Sequence, residues 1–235
     1  MSASGRSNVA PPEGIGELRR ERLGWARLYF VSEVLPRGQE PEPLLRAAMS
    51  GGTGMVELRD REAPAVAIER IGATFKRLAD TYSALFIVND DPYLARDLSA
   101  DGVHVGQEDL SPAEAREALG PDAIIGLSTH SLDQVKAAHE EPVDYISVGP
   151  IWETPTKEGR PATGLELIRE AAGAATLPWF AIGGIDTENV DEVVKAGARR
   201  ICVVRAIRDA SDPYAAAATL VGPVEAAAKA ERTAT

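Results

Sequence analysis

The sequence predicts a single α/β domain, a (β/α)8 barrel of the TIM type, behind a disordered N-terminal tail. Three observations carry that expectation. Eight short apolar runs of similar length recur, at 28–31, 55–58, 85–88, 102–105, 124–127, 145–148, 179–182 and 201–204. Helical patterns lie between them, so each strand returns to the next through a helix, which implies a parallel sheet with right-handed crossovers. The chain has 235 residues, 44% of them hydrophobic, enough for one large core. An open, doubly wound sheet is the competing arrangement, but short strands of uniform length suit closure. Gly51-Gly52-Thr53-Gly54 precedes a strand, the wrong side for cradling a pyrophosphate.

Taken in order, residues 1–13 hold Ser, Gly, Pro and Ala with little periodicity, the composition of a disordered tail. Residues 17–27 are charged and suit a short lead-in helix. We therefore expect an N-terminal extension at 1–24 and a catalytic barrel at 25–230. Helices are predicted at 43–49, 65–82, 92–98, 111–119, 132–139, 165–174 and 187–196, with a last one at 213–230 in which Gly222-Pro223 is a candidate break. The glycines at 51–54 suit the end of the first of these helices and the turn into the second strand. Ser111-Pro112-Ala113-Glu114 has the form of a capping box with proline in the first turn. Ser131 precedes another helix, and Asp186 with Thr187 a third.

A net charge of -11 argues against nucleic acid or an anionic membrane as partner, although a local cluster of arginines can reverse the sign in one cleft. The one cysteine, Cys202, lies in an apolar run, which suggests a buried thiol and no disulfide or zinc framework. No apolar run approaches the ~18 residues of a spanning helix, and no secretory h-region opens the chain. These features lead us to expect a soluble cytoplasmic protein. A homo-oligomer is compatible with the sequence but not specified by it.

In a barrel of this kind, chemistry sits where the strands end at their C-termini. Strand two runs out into Glu57, Arg59, Asp60 and Arg61, and alternation puts Glu57, Arg59 and Arg61 on one side. Strand three ends in Asn89-Asp90-Asp91, strand four in Gly106-Gln107-Glu108-Asp109, and strand five in Ser128-Thr129-His130. Strand six leads to Thr154, Thr156 and Lys157, strand seven to Gly183-Gly184, and strand eight to Val204-Arg205. Arg59, Arg61 and Lys157 supply cations whose donors match phosphate oxygens. Asp90 and Asp109 form the kind of carboxylate pair that Mg²⁺ accepts when water and substrate phosphate complete its shell. Gly183-Gly184 allows backbone amides to approach a second phosphate. Plainer roles compete: surface ion pairs for Arg59 and Arg61, helix capping for Asp91 and less readily for Asp90, a loop place for Asp109, a tight turn for Gly183-Gly184, a core place for His104, solvation for His139, and a hydrophobic wall or core lid for Trp152, while His130 just past strand five is ambiguous.

At these residues the chain resembles the thiamine phosphate synthase family. The shared segments are Val56-Glu57-Leu58-Arg59-Asp60-Arg61, Val88-Asn89-Asp90-Asp91, Asp101-Gly102-Val103-His104-Val105-Gly106-Gln107-Glu108-Asp109, Gly126-Leu127-Ser128-Thr129-His130, Val148-Gly149-Pro150-Ile151 through Thr154-Pro155-Thr156-Lys157, and Ala181-Ile182-Gly183-Gly184-Ile185. The resemblance implies that Arg59, Arg61, Asn89, Ser128 and Lys157 bind an aminopyrimidine pyrophosphate, that Asp90 and Asp109 hold Mg²⁺, and that Thr154, Thr156, Gly184, Val204 and Arg205 hold a thiazole phosphate. The family usually has Gln at the place of Glu57, Lys at that of Arg61 and often Ser at that of Arg205. Glu57 thus brings a negative charge close to the expected pyrimidine.

The reaction implied is loss of pyrophosphate from the pyrimidine's methylene carbon and attack there by the thiazole nitrogen. Lys157, Ser128 and Arg59 are the expected catalytic groups, with Ser128 donating to the departing oxygens. A related thiazole tautomerase would need a base over the ring, and Pro150 stands where a histidine would be expected. A non-catalytic phosphate-binding barrel is the remaining alternative.

Overall fold

A computed structural model of the chain describes residues 14–153 and 161–234. The readings placed above on residues 1–13 and on Thr154, Thr156 and Lys157 lie outside the described residues. Eight parallel strands close into a barrel, with β1 hydrogen-bonded to both β2 and β8. They are β1 (Leu28–Ser32), β2 (Met55–Leu58), β3 (Leu85–Asn89), β4 (Gly102–Val105), β5 (Ile124–Thr129), β6 (Tyr145–Val148), β7 (Trp179–Ile182) and β8 (Ile201–Val203). The helices are α1 (Ile15–Trp25), α2 (Glu42–Ser50), α3 (Ala65–Tyr82), α4 (Pro92–Asp97), α5 (Pro112–Leu119), α6 (Leu132–Ala137), α7 (Gly164–Ala174), α8 (Val190–Lys195), α9 (Arg205–Arg208) and α10 (Pro213–Ala234).

Side chains alternate across each strand, and two cores result. Phe30, Val56, Phe86, Val103, Ile125 and Ile146 point outward and pack under the helices. Tyr29, Met55, Leu85, Ile124, Tyr145, Phe180 and Cys202 point inward and fill the barrel. Cys202 is buried, as its apolar run suggested, and forms no disulfide among the described residues. Gly126 is required by this interior, because a Cβ there would lie 2.1 Å from Cζ of the Tyr145 ring. The N-terminal end of the barrel is covered by α1, which inserts Leu23 into the inner core. Ion pairs from Arg19 to Asp101 (2.9 Å) and from Arg20 to Asp144 (2.7 Å) hold that helix in place. Arg27 and Arg200 both donate to the Gly24 carbonyl near its C-terminus.

Most predicted elements recur within a residue or two, and α3 keeps its predicted bounds. Ser111 and Glu114 form the reciprocal capping box, and Ser131 accepts from the Gln134 amide. Three elements differ. The predicted 187–196 helix starts only at Val190, because Asp186 and Asn189 accept from each other's backbone amides and spend the intervening residues on a turn. Strand eight stops at Val203 and turns at once into α9, a short helix that the apolar pattern did not signal. Helix α10 runs unbroken through Pro223. Gly222 lacks the Cβ that a following proline ring would otherwise crowd, and buried Leu220, Val221 and Val224 hold both halves against the barrel.

Gly126→Ala should lower the unfolding free energy by ~1–3 kcal/mol or more, the range for overpacking a close-packed core. Urea denaturation monitored by circular dichroism measures it, and wild-type stability in that variant would contradict the packing described.

Candidate active site at the C-terminal mouth

The C-terminal ends of the strands surround a cavity of about 320 Å³. Of the residues selected from sequence, Glu57, Arg59, Asn89, Ser128, Gly184, Val204 and Arg205 line it. Glu57 pairs in register with Val31 of β1 and Ile87 of β3, and is buried. The Arg59 amide donates to the Ser32 carbonyl at 2.9 Å, which extends the ladder past the end of β2 and keeps Arg59 on the side of Glu57. Among the described residues, the buried Nε of Arg59 has no hydrogen-bond partner. A buried guanidinium nitrogen left in this state on a cavity wall suits an anionic ligand.

Arg61 departs from the alternation because the strand has ended. It is exposed and, like Asp90 and Asp109, is not among the residues that line the cavity, with Nη2 2.6 Å from Asp90 Oδ2 and 3.9 Å from Asp109 Oδ1. Of the plainer roles weighed above, Arg61 thus takes an ion pair, with Asp90 as its partner. Asp60 is occupied in shaping the loop, accepting from the amides of Val34, Glu62 and Ala63.

Asp90 and Asp91 separate cleanly. Asp91 caps α4 by accepting from the amides of Tyr93 (2.9 Å) and Leu94 (3.0 Å). Asp90 adopts a left-handed backbone (φ 63°) and donates its amide to the His104 carbonyl at 2.8 Å. Its carboxyl is raised above the usual aspartate range, first by burial and further by the neighbouring Asp109, while Arg61 opposes the shift. Asp109 accepts from the Gly106 amide at 2.8 Å through its other oxygen. No group of three or more acidic, histidine or cysteine ligands occurs among the described residues. Two adjacent hard-oxygen carboxylates are nevertheless the donor set that suits Mg²⁺, which keeps most of its shell for water and phosphate.

Across the cavity, Gly183 and Gly184 take φ values of 103° and 70°. A Cβ on Gly184 would lie 2.9 Å from Cβ of Trp152, so Trp152 lids the core there rather than walling the cavity. Arg205 lines this side, and Asp209, also on the lining, is held below the usual carboxylate range by its bond to Arg208.

Some functional candidates escaped the sequence reading. Tyr29, His104 and Ser147 form part of the cavity lining, and Tyr145 lies beneath it, bonded to Tyr29 and His104. The tyrosines looked like ordinary strand apolars and His104 like a core residue. Their shared inward parity on three strands, β1, β4 and β6, was the available signal. His130, ambiguous in sequence, lines the cavity too, with Nδ1 2.5 Å from the Gly149 carbonyl oxygen.

A closed alternating barrel with its cavity at this mouth defines a class, the (β/α)8-barrel enzymes. Comparison with known proteins narrows it. The family model described as thiamine monophosphate synthase matches residues 28–207, and the chain belongs to that family. It is 47% identical over 208 residues to a thiamine-phosphate synthase from Acidothermus cellulolyticus, covering 88% of this chain and 98% of the relative. It is 50% identical over 199 residues to one from Thermus thermophilus, covering 83% and 95%. The solved thiamine phosphate pyrophosphorylase from Pyrococcus furiosus superposes with a TM-score of 0.78 at 33% identity, covering 88% of this chain and 98% of that one. Among the described residues, no helix is long and apolar enough to cross a membrane.

Removing the Arg59 guanidinium should weaken pyrophosphate binding by about tenfold or more, the scale of a lost charge-assisted hydrogen bond. Calorimetric titration of Arg59→Ala with inorganic pyrophosphate measures this, and affinity equal to wild type would remove Arg59 from the anion site.

Proposed function

We propose that the barrel, residues 25–230, joins 4-amino-2-methyl-5-hydroxymethylpyrimidine pyrophosphate to thiazole phosphate in the cytoplasm, releasing pyrophosphate and forming thiamine phosphate. The observation that supports this best is one cavity with two anion-compatible walls. The orphaned Nε of Arg59 lies on one wall, and the open Gly183-Gly184 backbone with Arg205 on the other. Two phosphorylated reactants held face to face need such a pair.

The C–O bond to the pyrophosphate breaks first, and its electron pair leaves with the oxygen. The electron-rich aminopyrimidine stabilises the resulting methylene cation, and the thiazole nitrogen then supplies the pair for the new C–N bond. This dissociative route asks little acid–base chemistry of the protein. It asks for donors aimed at the leaving group and for an acceptor held in line. Arg59, with Asn89 beside it, binds the pyrophosphate, and Lys157, by family resemblance, completes that set. Gly184, Val204 and Arg205, with Thr154 and Thr156 by resemblance, orient the thiazole phosphate. Ser128 and Glu57 face the pyrimidine. Asp90 and Asp109 are the residues that would hold Mg²⁺, with Arg61 balancing their charge. Bound there, Mg²⁺ would supply neutralising charge to the departing diphosphate.

Incubation with both substrates and Mg²⁺ tests the reading. Pyrophosphate release is expected only when both are present, and consumption of the thiazole alone, or no turnover, would refute it. Lys157→Ala should lower kcat ~10²-fold or more, as for other lost charge-stabilising donors, and unchanged turnover would exclude its role. Chelation should abolish pyrophosphate release and added Mg²⁺ restore it. Full activity under chelation would overturn the assignment of Asp90 and Asp109.

A further inference from the structure

A file of polar groups crosses the barrel floor, where branched apolar side chains ordinarily stack. The Tyr29 hydroxyl donates to Glu57 Oε2 and lies 3.2 Å from the Tyr145 hydroxyl. The Tyr145 oxygen is 3.0 Å from His104 Nδ1. His104 Nε2 is 2.9 Å from Ser128 Oγ and 3.4 Å from Ser147 Oγ. All of these residues are buried.

Each contact needs one proton, and counting protons gives the file a direction. The Tyr29 hydroxyl donates to Glu57 Oε2, so its single proton is committed there. The contact between the two tyrosines then requires the proton of Tyr145. Tyr145 has none left for His104, so Nδ1 must carry a hydrogen and donate it. In a neutral imidazole the other nitrogen is then bare. It accepts from the nearest hydroxyl, that of Ser128. Burial and the charge of Glu57 hold both phenols well above the ordinary tyrosine range, so both keep their protons. The opposite direction would leave the tyrosine oxygens facing each other with no hydrogen between them, a costly arrangement in a dry interior.

We propose that Glu57, acting through Tyr29, Tyr145 and His104, holds Ser128 with its proton turned into the barrel floor and its lone pairs toward the cavity. Ser128 is then a hydrogen-bond acceptor for an N–H edge of the substrate, not the donor to the leaving group that its position in sequence suggested. Under the function proposed above, on which the ligand's identity rests, that edge belongs to the aminopyrimidine, and leaving-group stabilisation falls to the cations. A glutamine at position 57 could donate to Tyr29 as well as accept from it. The carboxylate removes that freedom, so the direction is a property of this chain's Glu57.

The test uses full-length protein labelled with 15N-histidine, with the His104 signals assigned by their loss in His104→Gln. A neutral ring protonated at Nδ1 is expected. A ring protonated at Nε2, or at both nitrogens, overturns the proposal whether or not the protein turns over substrate. Tyr145→Phe keeps the ring and removes the linking hydroxyl. In that variant His104 should shift to the Nε2–H form, KM for the pyrimidine pyrophosphate should rise about tenfold, as for one lost hydrogen bond, and kcat should stay within about threefold. Adding Ser128→Ala to it should cost less than Ser128→Ala costs the wild type. A hydroxyl with only a structural role would lower the melting midpoint and leave the tautomer and KM unchanged, which also overturns the proposal. Wild-type protein that released no pyrophosphate would refute the functional reading, while the tautomer would still decide the file's direction.

Discussion

Closure of eight parallel strands leaves each strand residue one of two places, under the helices or inside the barrel, and most of the site follows from that restriction. Inward residues must fill a narrow interior at crystal-like density. Leu85, Ile124, Phe180 and the rings of Tyr29 and Tyr145 do so at the base, with Leu23 of α1 closing the N-terminal end. Tyr145 reaches into the barrel only because Gly126 opposite it has no side chain. Above the rings, the same inward positions carry Glu57, His104, Ser128 and Ser147, and above those the interior opens into the cavity.

Buried polar groups in such a place bond to one another, because an unmade hydrogen bond costs more than a made one returns. Tyr29 and Tyr145 meet that condition by presenting apolar bodies to the core and hydroxyls to their neighbours. The floor of the cavity is therefore set by hydrogen bonds that no loop motion needs to assemble. The loops beyond the strand ends differ. Arg61, Asp90 and Asp109 sit partly exposed on loops, and their ion pairs are open to exchange with a charged ligand. A chain with a net charge of -11 thus lines this cavity with Arg59 and Arg205.

The family was legible in the sequence because its motifs occupy the strand ends, and the comparisons agree with that reading. Of the candidate site, Glu57, Arg59, Asn89 and Ser128, on or just beyond strands, line one cavity because alternation persists while the ladder does. Arg61 lay beyond the ladder, where alternation no longer applies, and only tertiary contact sends it to Asp90. The helix expected directly after Asp186 starts later because the reciprocal bonds of Asp186 with Asn189 depend on loop geometry. Pro223 looked like a break because a local rule ignores the buried contacts on either side of it.

By itself the sequence determined the barrel, the order of its strands and the end at which chemistry gathers, since hydrophobic periodicity and loop composition are local and survive without coordinates. The tertiary structure alone decided which polar groups meet. Tyr29 and Glu57 are 28 positions apart, and Tyr29 and Tyr145 are 116 apart. Contact over such separations arises from closing the barrel, which brings the inward faces of distant strands within reach of one another, and no local pattern encodes it.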